Sequence, residues 1–288
     1  MTHRPSVTQI WRYPAKSMLG ERLDRTEVTA TGLVGDRGWA VRDEVRGGIR
    51  GAKKIGELMR LSARYLTEPE PGAGQPPIEI RLPDGTVTTS QQADVNERLS
   101  SALGHAVSLW PLQPETDLDH YRRGAPDSDD VMTELREMFG RTVDEPLPDL
   151  AAFPPELVEF ESPPGSYVDA YPLMLLTDTS LASLAALAPG SAVDIRRFRP
   201  NIVAESGETG EAWPELGWIG RRIRVGTAEI EVVGPCPRCV MVTRAVAELG
   251  EDRRILRTIV ASADQNLGVY ATVIQPGDFV VGDPLIMG

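Results

Sequence analysis

Both cysteines of this 288-residue chain, Cys236 and Cys239, stand three residues apart in GPCPRCVMVTR, residues 234–244. Pro235 and Pro237 flank the first thiol and Arg238 precedes the second. A close pair in a reducing compartment binds metal or does redox chemistry more often than it staples a fold. Structural zinc needs four ligands, yet there is no second CxxC, and the histidines, His3, His105 and His120, are scattered and distant in sequence. A thioredoxin-like pair opens a helix whose dipole lowers the thiol pKa, whereas VMVTRAV alternates as a strand does. Two thiols acting as small core hydrophobes are the ordinary alternative, but a loop with two prolines and an arginine is too polar and too rigid for core filling. The remaining chemistry is a thiolate that ligates a soft or high-valent metal brought in by an organic cofactor, with nearby positive charge keeping the sulfur ionised.

Such a cofactor needs anion and ring contacts. RRFRPNIVAE gathers Arg196, Arg197 and Arg199 beside Asn201. Arginine forks match phosphate oxygens in pairs, and an asparagine amide offers one donor group and one acceptor to a heterocycle edge; a solvated charged strand face is the alternative. YPAKSMLGE adds Lys16 and Ser17, and GDRGW adds Arg37. Lysine is scarce, only Lys16, Lys53 and Lys54 against 27 arginines, which lowers the case for a Schiff-base cofactor. No GxGxxG follows a strand, and P-loop, HExxH and GxSxG patterns are absent, so the common nucleotide-binding and hydrolase templates do not apply.

The elements that must position these residues are mostly strands. Residues 8 to about 110 read as short strands with turns between them, including a hairpin at Asp84-Gly85. A helix over 93–104 would be capped by Asp94 and closed by Gly104. Residues 111–165 are acidic and proline-rich, with one helix in DSDDVMTELREMFG whose aspartates suit its N-terminus; Phe139, Phe153 and Phe160 require packing there. YPLMLLTDTSLASLAALAPG reads as an apolar strand followed by a helix from Asp178 or Thr179 to Leu187. The last strands are expected to form a hairpin around Pro276-Gly277. The fold class is mostly β with some α, divided into residues 1–112, an acidic bridge at 113–165, and residues 166–288.

Length and composition agree with a globular protein of about two domains. Apolar residues make up 41% and charged residues 25%, and the net charge of −12 argues against general nucleic-acid or membrane-surface binding. Residues 113–169 hold 15 Asp and Glu against four Arg, a balance of −11, leaving the rest of the chain near neutral. No window offers the roughly 18 apolar residues of a spanning helix, and the N-terminus lacks the pattern of a secretory signal. A cytoplasmic protein is expected.

YPAKSMLGERL, GLVGDRGWAV, FRPNIV, WxxLxWIG, CPRCVMVT and VGDP, in this order, resemble the MOSC family, the fold of the C-terminal domain of molybdenum cofactor sulfurase. The two-domain members with an N-terminal MOSC β-barrel, the group that includes the mitochondrial amidoxime reducing component, are most similar. The resemblance implies a molybdenum–molybdopterin cofactor whose metal is bound by Cys239, with Arg238 beside it. It further implies cofactor contacts from Lys16, Ser17, Arg37, Arg199, Asn201 and Tyr270. Ala170, Tyr171 and Pro237 fall at contact positions where the residue types differ from relatives, leaving backbone contacts. The implied activity is reduction of N-hydroxylated compounds, amidoximes or hydroxylamines. Electrons would come from a separate donor protein, a ferredoxin, flavodoxin or cytochrome b5-like system, because two cysteines cannot hold an iron–sulfur cluster. A molybdenum cofactor or sulfur carrier using Cys239 is the alternative.

Overall fold

The computed structural model describes residues 4–207 and 210–288. The expected mostly β architecture is what the chain adopts, with five α-helices among the described residues. The largest sheet has eight strands, in the order Ile286–Met287, Arg222–Val225, Ala228–Pro237, Asn266–Gln275, Leu173–Thr177, Ile202–Glu205, Ser6–Arg12 and Glu21–Leu23. Its centre is Leu173–Thr177, which pairs in parallel with Ile202–Glu205 and antiparallel with Asn266–Gln275. Every residue of this strand is buried, because side chains alternate between faces and both faces carry a core. Leu173 and Leu175 join Ile10, Ile202, Ile230 and Val269 on one side. Met174 and Leu176 point to the other, against Leu184, Ile255 and Ile259 of the helices Asp178–Leu187 and Arg253–Ser262.

The strands Ser6–Arg12 and Glu21–Leu23 therefore lie in the sheet built otherwise from residues 173–287, with the first beside the RPN segment, and this brings the two ends of the sequence together. Among the described residues the other strands form three smaller sheets. Two are built within residues 39–111, around a core that includes Val41, Leu58, Leu61 and Ile80. Against it the helix Val95–Leu103 lays Val95, Leu99 and Leu103, at a spacing of four that keeps them on one face. Asp84-Gly85 does turn a hairpin, between Ile78–Arg81 and Val87–Thr89, with Gly85 at φ 87°.

Helix ends follow their caps. Thr177 accepts from the Ser180 N–H and Asp130 from the Met132 N–H, while Gly104 and Gly140 close their helices in the left-handed conformation. Asp94 sits at the N-cap position of its helix, but its carboxylate takes no bond from it. The expected terminal hairpin does not form. Gly277–Val280 leaves the partner it was expected to fold back on and pairs with Arg25–Thr29 in another sheet. Gly277 is required for close approach rather than for a turn: a Cβ there would lie 2.6 Å from the Thr227 carbonyl carbon. No helix among the described residues is long and apolar enough to cross a membrane.

Gly268 shows how tightly the central strands meet. It lies at φ +80°, where a Cβ would stand 2.7 Å from the Leu175 carbonyl oxygen, and its N–H donates to Glu215 Oε1 at 3.2 Å. Gly268→Ala combines a left-handed alanine with a backbone clash and is expected to cost about 2–4 kcal/mol. Urea denaturation would read this as a lower midpoint, and an unchanged midpoint would contradict the packing described.

Candidate functional site

The strand Ala228–Pro237 ends on the first thiol, and the chain then turns through a single 3-10 helix, Val240–Thr243, with Cys239 at its N-cap. The strand expected for VMVTRAV is absent. Its alternating apolar residues serve two cores: Met241 and Val246 enter the N-terminal core, and Val242 enters the one beneath the helices. Apolar demand on several sides imitates a strand's period in the sequence. The same division separates the thiols. Cys236 is buried with Val242, whereas Cys239 is only partly buried against the N-terminal core.

Arg238 bridges them. Its Nη1 donates to Cys236 Sγ at 3.0 Å, its Nη2 to the Phe198 carbonyl at 2.7 Å, and its backbone N–H to the Gln265 carbonyl at 2.8 Å. Burial works to lower its pKa, but the sulfur of Cys236, then Tyr270 and Cys239, leave it raised. Arg141, from the acidic segment, clamps the same loop, donating to Gln265 Oε1 at 3.0 Å and to the Arg238 carbonyl at 2.9 Å. Burial brings the Arg141 pKa down to about 10.

Across from the thiols, Arg199 adopts φ 57° and lies over the Tyr13 ring at 4.1 Å, with Nη1 bonded to the Met18 carbonyl. Burial, reinforced by Arg37, lowers it to about 10. The other arginines of RRFR have different duties. Arg196 pairs with Asp194 and Glu248 at the surface, and all three donor groups of Arg197 are tied to the carbonyls of Ala192, Arg244 and Gly250. Asn201 is equally committed: its amide donates to Asp36 Oδ2 at 3.0 Å and accepts from the Met174 N–H at 3.2 Å. Asp36 in turn holds Arg37. The Tyr270 ring lies 5.2 Å from that of Tyr171, tilted by 40°, and burial, with Cys236 next, pushes its hydroxyl well above the usual range.

Lys16, 3% exposed, spends its ammonium on Asp169 Oδ1 at 2.7 Å, the Tyr167 carbonyl at 2.8 Å and Ser162 Oγ at 3.2 Å. Ser17, at φ 67°, accepts from the Ala52 N–H at 2.9 Å. Two participants escaped the sequence reading. Asp169, 40% exposed toward the cavity, also faces Lys53 at 3.5 Å. The scarcity of lysine was a usable signal for Lys53; Asp169 carried none beyond its place next to Ala170.

All eleven residues read from the sequence line one cavity of about 1040 Å³: Lys16, Ser17, Arg37, Ala170, Tyr171, Arg199, Asn201, Pro237, Arg238, Cys239 and Tyr270. Its polar side is cationic, and two buried donors of its lining residues, Arg199 Nη2 and Arg238 Nε, have no partner among the described residues. Buried guanidinium donors without acceptors are costly unless an anion or polar ligand meets them, so the site fits an anionic group carrying polar ring atoms. Among the described residues no three His, Cys, Asp or Glu side chains stand together where they could hold a metal ion.

The MOSC domain model matches residues 163–286, and the MOSC N-terminal beta barrel domain model matches residues 4–110. The chain belongs to the MOSC family. Its order of N-terminal barrel domain and MOSC domain is that of the two-domain members. It is 25% identical to mitochondrial amidoxime reducing component 2 of Bos taurus, over 97% of this chain and 82% of that protein. The Rattus norvegicus protein of the same name is 27% identical with the same coverage. Molybdenum cofactor sulfurase of Solanum lycopersicum is 25% identical over 90% of this chain and 31% of its own length. Among solved structures, the YUAD protein from Bacillus subtilis is similar over 98% of this chain and 94% of its own, with a TM-score of 0.43 at 11% identity.

The Lys16–Asp169–Lys53 cluster has a measurable consequence. Burial alone would raise the Asp169 carboxyl, but Lys16, then Lys53, hold it well below its usual value of 3.8. A depressed carboxylate stabilises the fold fully above the unfolded-state value, and that contribution is lost as pH falls through the folded one. Asp169→Asn should therefore flatten the fall in unfolding free energy below about pH 4. Urea titrations of parent and variant at a series of acidic pH values check this, and parallel curves would contradict it.

Proposed function

We propose that this MOSC protein binds a molybdenum–molybdopterin cofactor in the 1040 Å³ cavity and reduces N-hydroxylated compounds, amidoximes and hydroxylamines, to the N–H product. The observation that carries the reading is the convergence on that one cavity of a partly exposed thiol, Cys239, and two arginines, Arg199 and Arg238, each with a buried donor that has no partner among the described residues. The similarity to amidoxime reducing components along 97% of the chain supports the reaction class. When bound, the cofactor would supply the two-electron redox chemistry that removal of the hydroxyl oxygen requires. The net change is R–NHOH with two electrons and two protons giving R–NH2 and water.

In this reading Cys239 provides the metal's thiolate ligand from a loop fixed by Arg238 and Arg141, while buried Cys236 holds the Arg238 guanidinium in place. Arg199, Arg37, Lys16 and Ser17 form the side that receives phosphate, with Lys53 adding charge. Their ammonium and guanidinium groups act where water is largely excluded, so each counts for more than it would in bulk solvent. Asn201 serves through Asp36, orienting Arg37. Ala170, Tyr171 and Pro237 frame the ring with backbone groups and Tyr270 closes the side. Electrons come from a separate donor protein, and the protein works in the cytoplasm. An acidic donor of the ferredoxin or flavodoxin type would be repelled by the acidic bridge, residues 113–165, which favours docking on the near-neutral second domain, residues 166–288.

The similarity to molybdenum cofactor sulfurase keeps a second reading in view, a carrier that holds cofactor or persulfide on Cys239. Turnover separates the two. Elemental analysis of freshly purified protein should give about one molybdenum per chain, and a Cys239→Ala variant should give none. The loaded parent should reduce benzamidoxime or hydroxylamine with a chemical donor. Zinc in place of molybdenum, or metal content indifferent to the substitution, would overturn cofactor binding; bound molybdenum without turnover would favour the carrier.

A further inference from the structure

The acidic segment does more than join the two halves. Its helix Val131–Phe139 turns Val131, Leu135, Met138 and Phe139 toward the cavity. These positions are spaced by four, three and one, within a single helical face. An amphipathic helix normally lays such a stripe on a core, yet of these four only Phe139 is buried. Phe153 and Leu157, from the short turns that follow, extend the same wall, and Phe153 lies 6.4 Å from Phe139 ring to ring. The wall is anchored. Arg141 ties the helix end to the thiol loop through the carbonyls of Phe139 and Arg238, and Arg257 bonds to Glu145 and the Gly140 carbonyl. The cavity is thus lined by Lys16, Lys53, Arg199 and Arg238 and, from the acidic segment, by this aliphatic and aromatic wall together with Asp129, Glu134 and Glu161.

Resting on the reductase reading above, we propose that this wall determines specificity and that the substrates are amphipathic. The N-hydroxylated head turns to the cationic side beside Cys239, and an alkyl or aryl body lies against Leu135, Met138, Phe153 and Leu157. The occupant is a small molecule, because the apolar face is the lining of a cavity that also holds the polar groups, and its charge pattern complements a polar head joined to an apolar body. Hydroxylamine, which has no apolar body, bypasses the wall.

Leu135→Ser and Leu157→Ser, made singly on separate elements in the cofactor-loaded full chain, test this. Each should lower kcat/KM for benzamidoxime, and its affinity measured by calorimetry without electron donor, by about tenfold, while kcat/KM for hydroxylamine stays within about twofold. Molybdenum content and melting temperature serve as controls for folding and loading. Equal losses on both substrates, no loss on either, or a nucleotide released from the parent and depleted in the variants would overturn the proposal. The last result would assign the wall to an extended cofactor. A parent that turns over neither substrate sinks the reductase reading instead, and the calorimetric comparison still decides whether the wall binds apolar bodies.

Discussion

The molecule is organised around positive charge held out of water. Lys16, Arg199 and Arg238 are each less than a tenth exposed and lie around one cavity, with Arg37 close behind. Removing a cation from water is costly unless counter-charges and acceptors surround it. The surrounding elements supply them unevenly. Asp169 serves Lys16 and Lys53, and Asp36 serves Arg37, but Arg199 and Arg238 rely on main-chain carbonyls, a sulfur atom and aromatic faces. That shortfall of negative charge is what equips the cavity for an anion. A site with every charge neutralised internally would have nothing left to bind with.

Holding the cations there strains the backbone. Six non-glycine residues among those described have positive φ, and three of them are Ser17, Arg37 and Arg199. Left-handed conformations cost on the order of 1 kcal/mol for such side chains and persist where the surroundings over-determine them. Here those surroundings are the strand Ser6–Arg12 beside Ile202–Glu205, which carry the chain into the YPAKS and out of the RPN segments at one end of a buried sheet. Asn201 joins the two: it bonds Asp36, which in turn bonds the Tyr13 N–H at 2.8 Å and Arg37. Residues nearly two hundred positions apart thereby share one polar network, and shifting either strand would disturb all three strained positions.

Much of the site could be read from residue types because its chemistry is local in sequence: CPRC, RPN and YPAKS each present functional groups within a few positions. Three of the five helices among the described residues were legible for the same reason, since the aspartates before Val131 and the glycine after Leu103 act within one turn. Leu118–Tyr121, a second helix in the acidic segment where one was expected, and Arg253–Ser262 were not read. What could not be read depended on long-range pairing. Nothing near Gly277 indicates that its strand joins Arg25–Thr29, and the alternation of VMVTRAV is equally consistent with one strand and with a turn wedged between two cores. Asp169 belongs to the same class, a carboxylate whose role appears only once Lys16 and Lys53 are brought to it. RRFR misleads differently, because identical side chains a residue or two apart are divided among surface, main-chain support and cavity.

The acidic segment shows why a charge sum along the sequence is a poor guide to the field in a site. Its balance of −11 would seem to oppose a cationic cavity beside it. Most of those carboxylates face solvent, where ions screen them within about 8–10 Å, and others are matched locally, as Asp127 is by Lys54 at 3.0 Å and Arg50 at 3.0 Å. What the segment turns inward includes an apolar stripe, Leu135, Met138, Phe139, Phe153 and Leu157, beside Asp129, Glu134, Glu161 and Asp169, and its Arg141 adds positive charge to the thiol loop. An apolar wall lowers the local dielectric and strengthens the cations opposite it. The most acidic stretch of the chain therefore gives the cavity an apolar wall while most of its charge faces solvent, and of the carboxylates it does send inside, Asp169 is matched by Lys16 and Lys53.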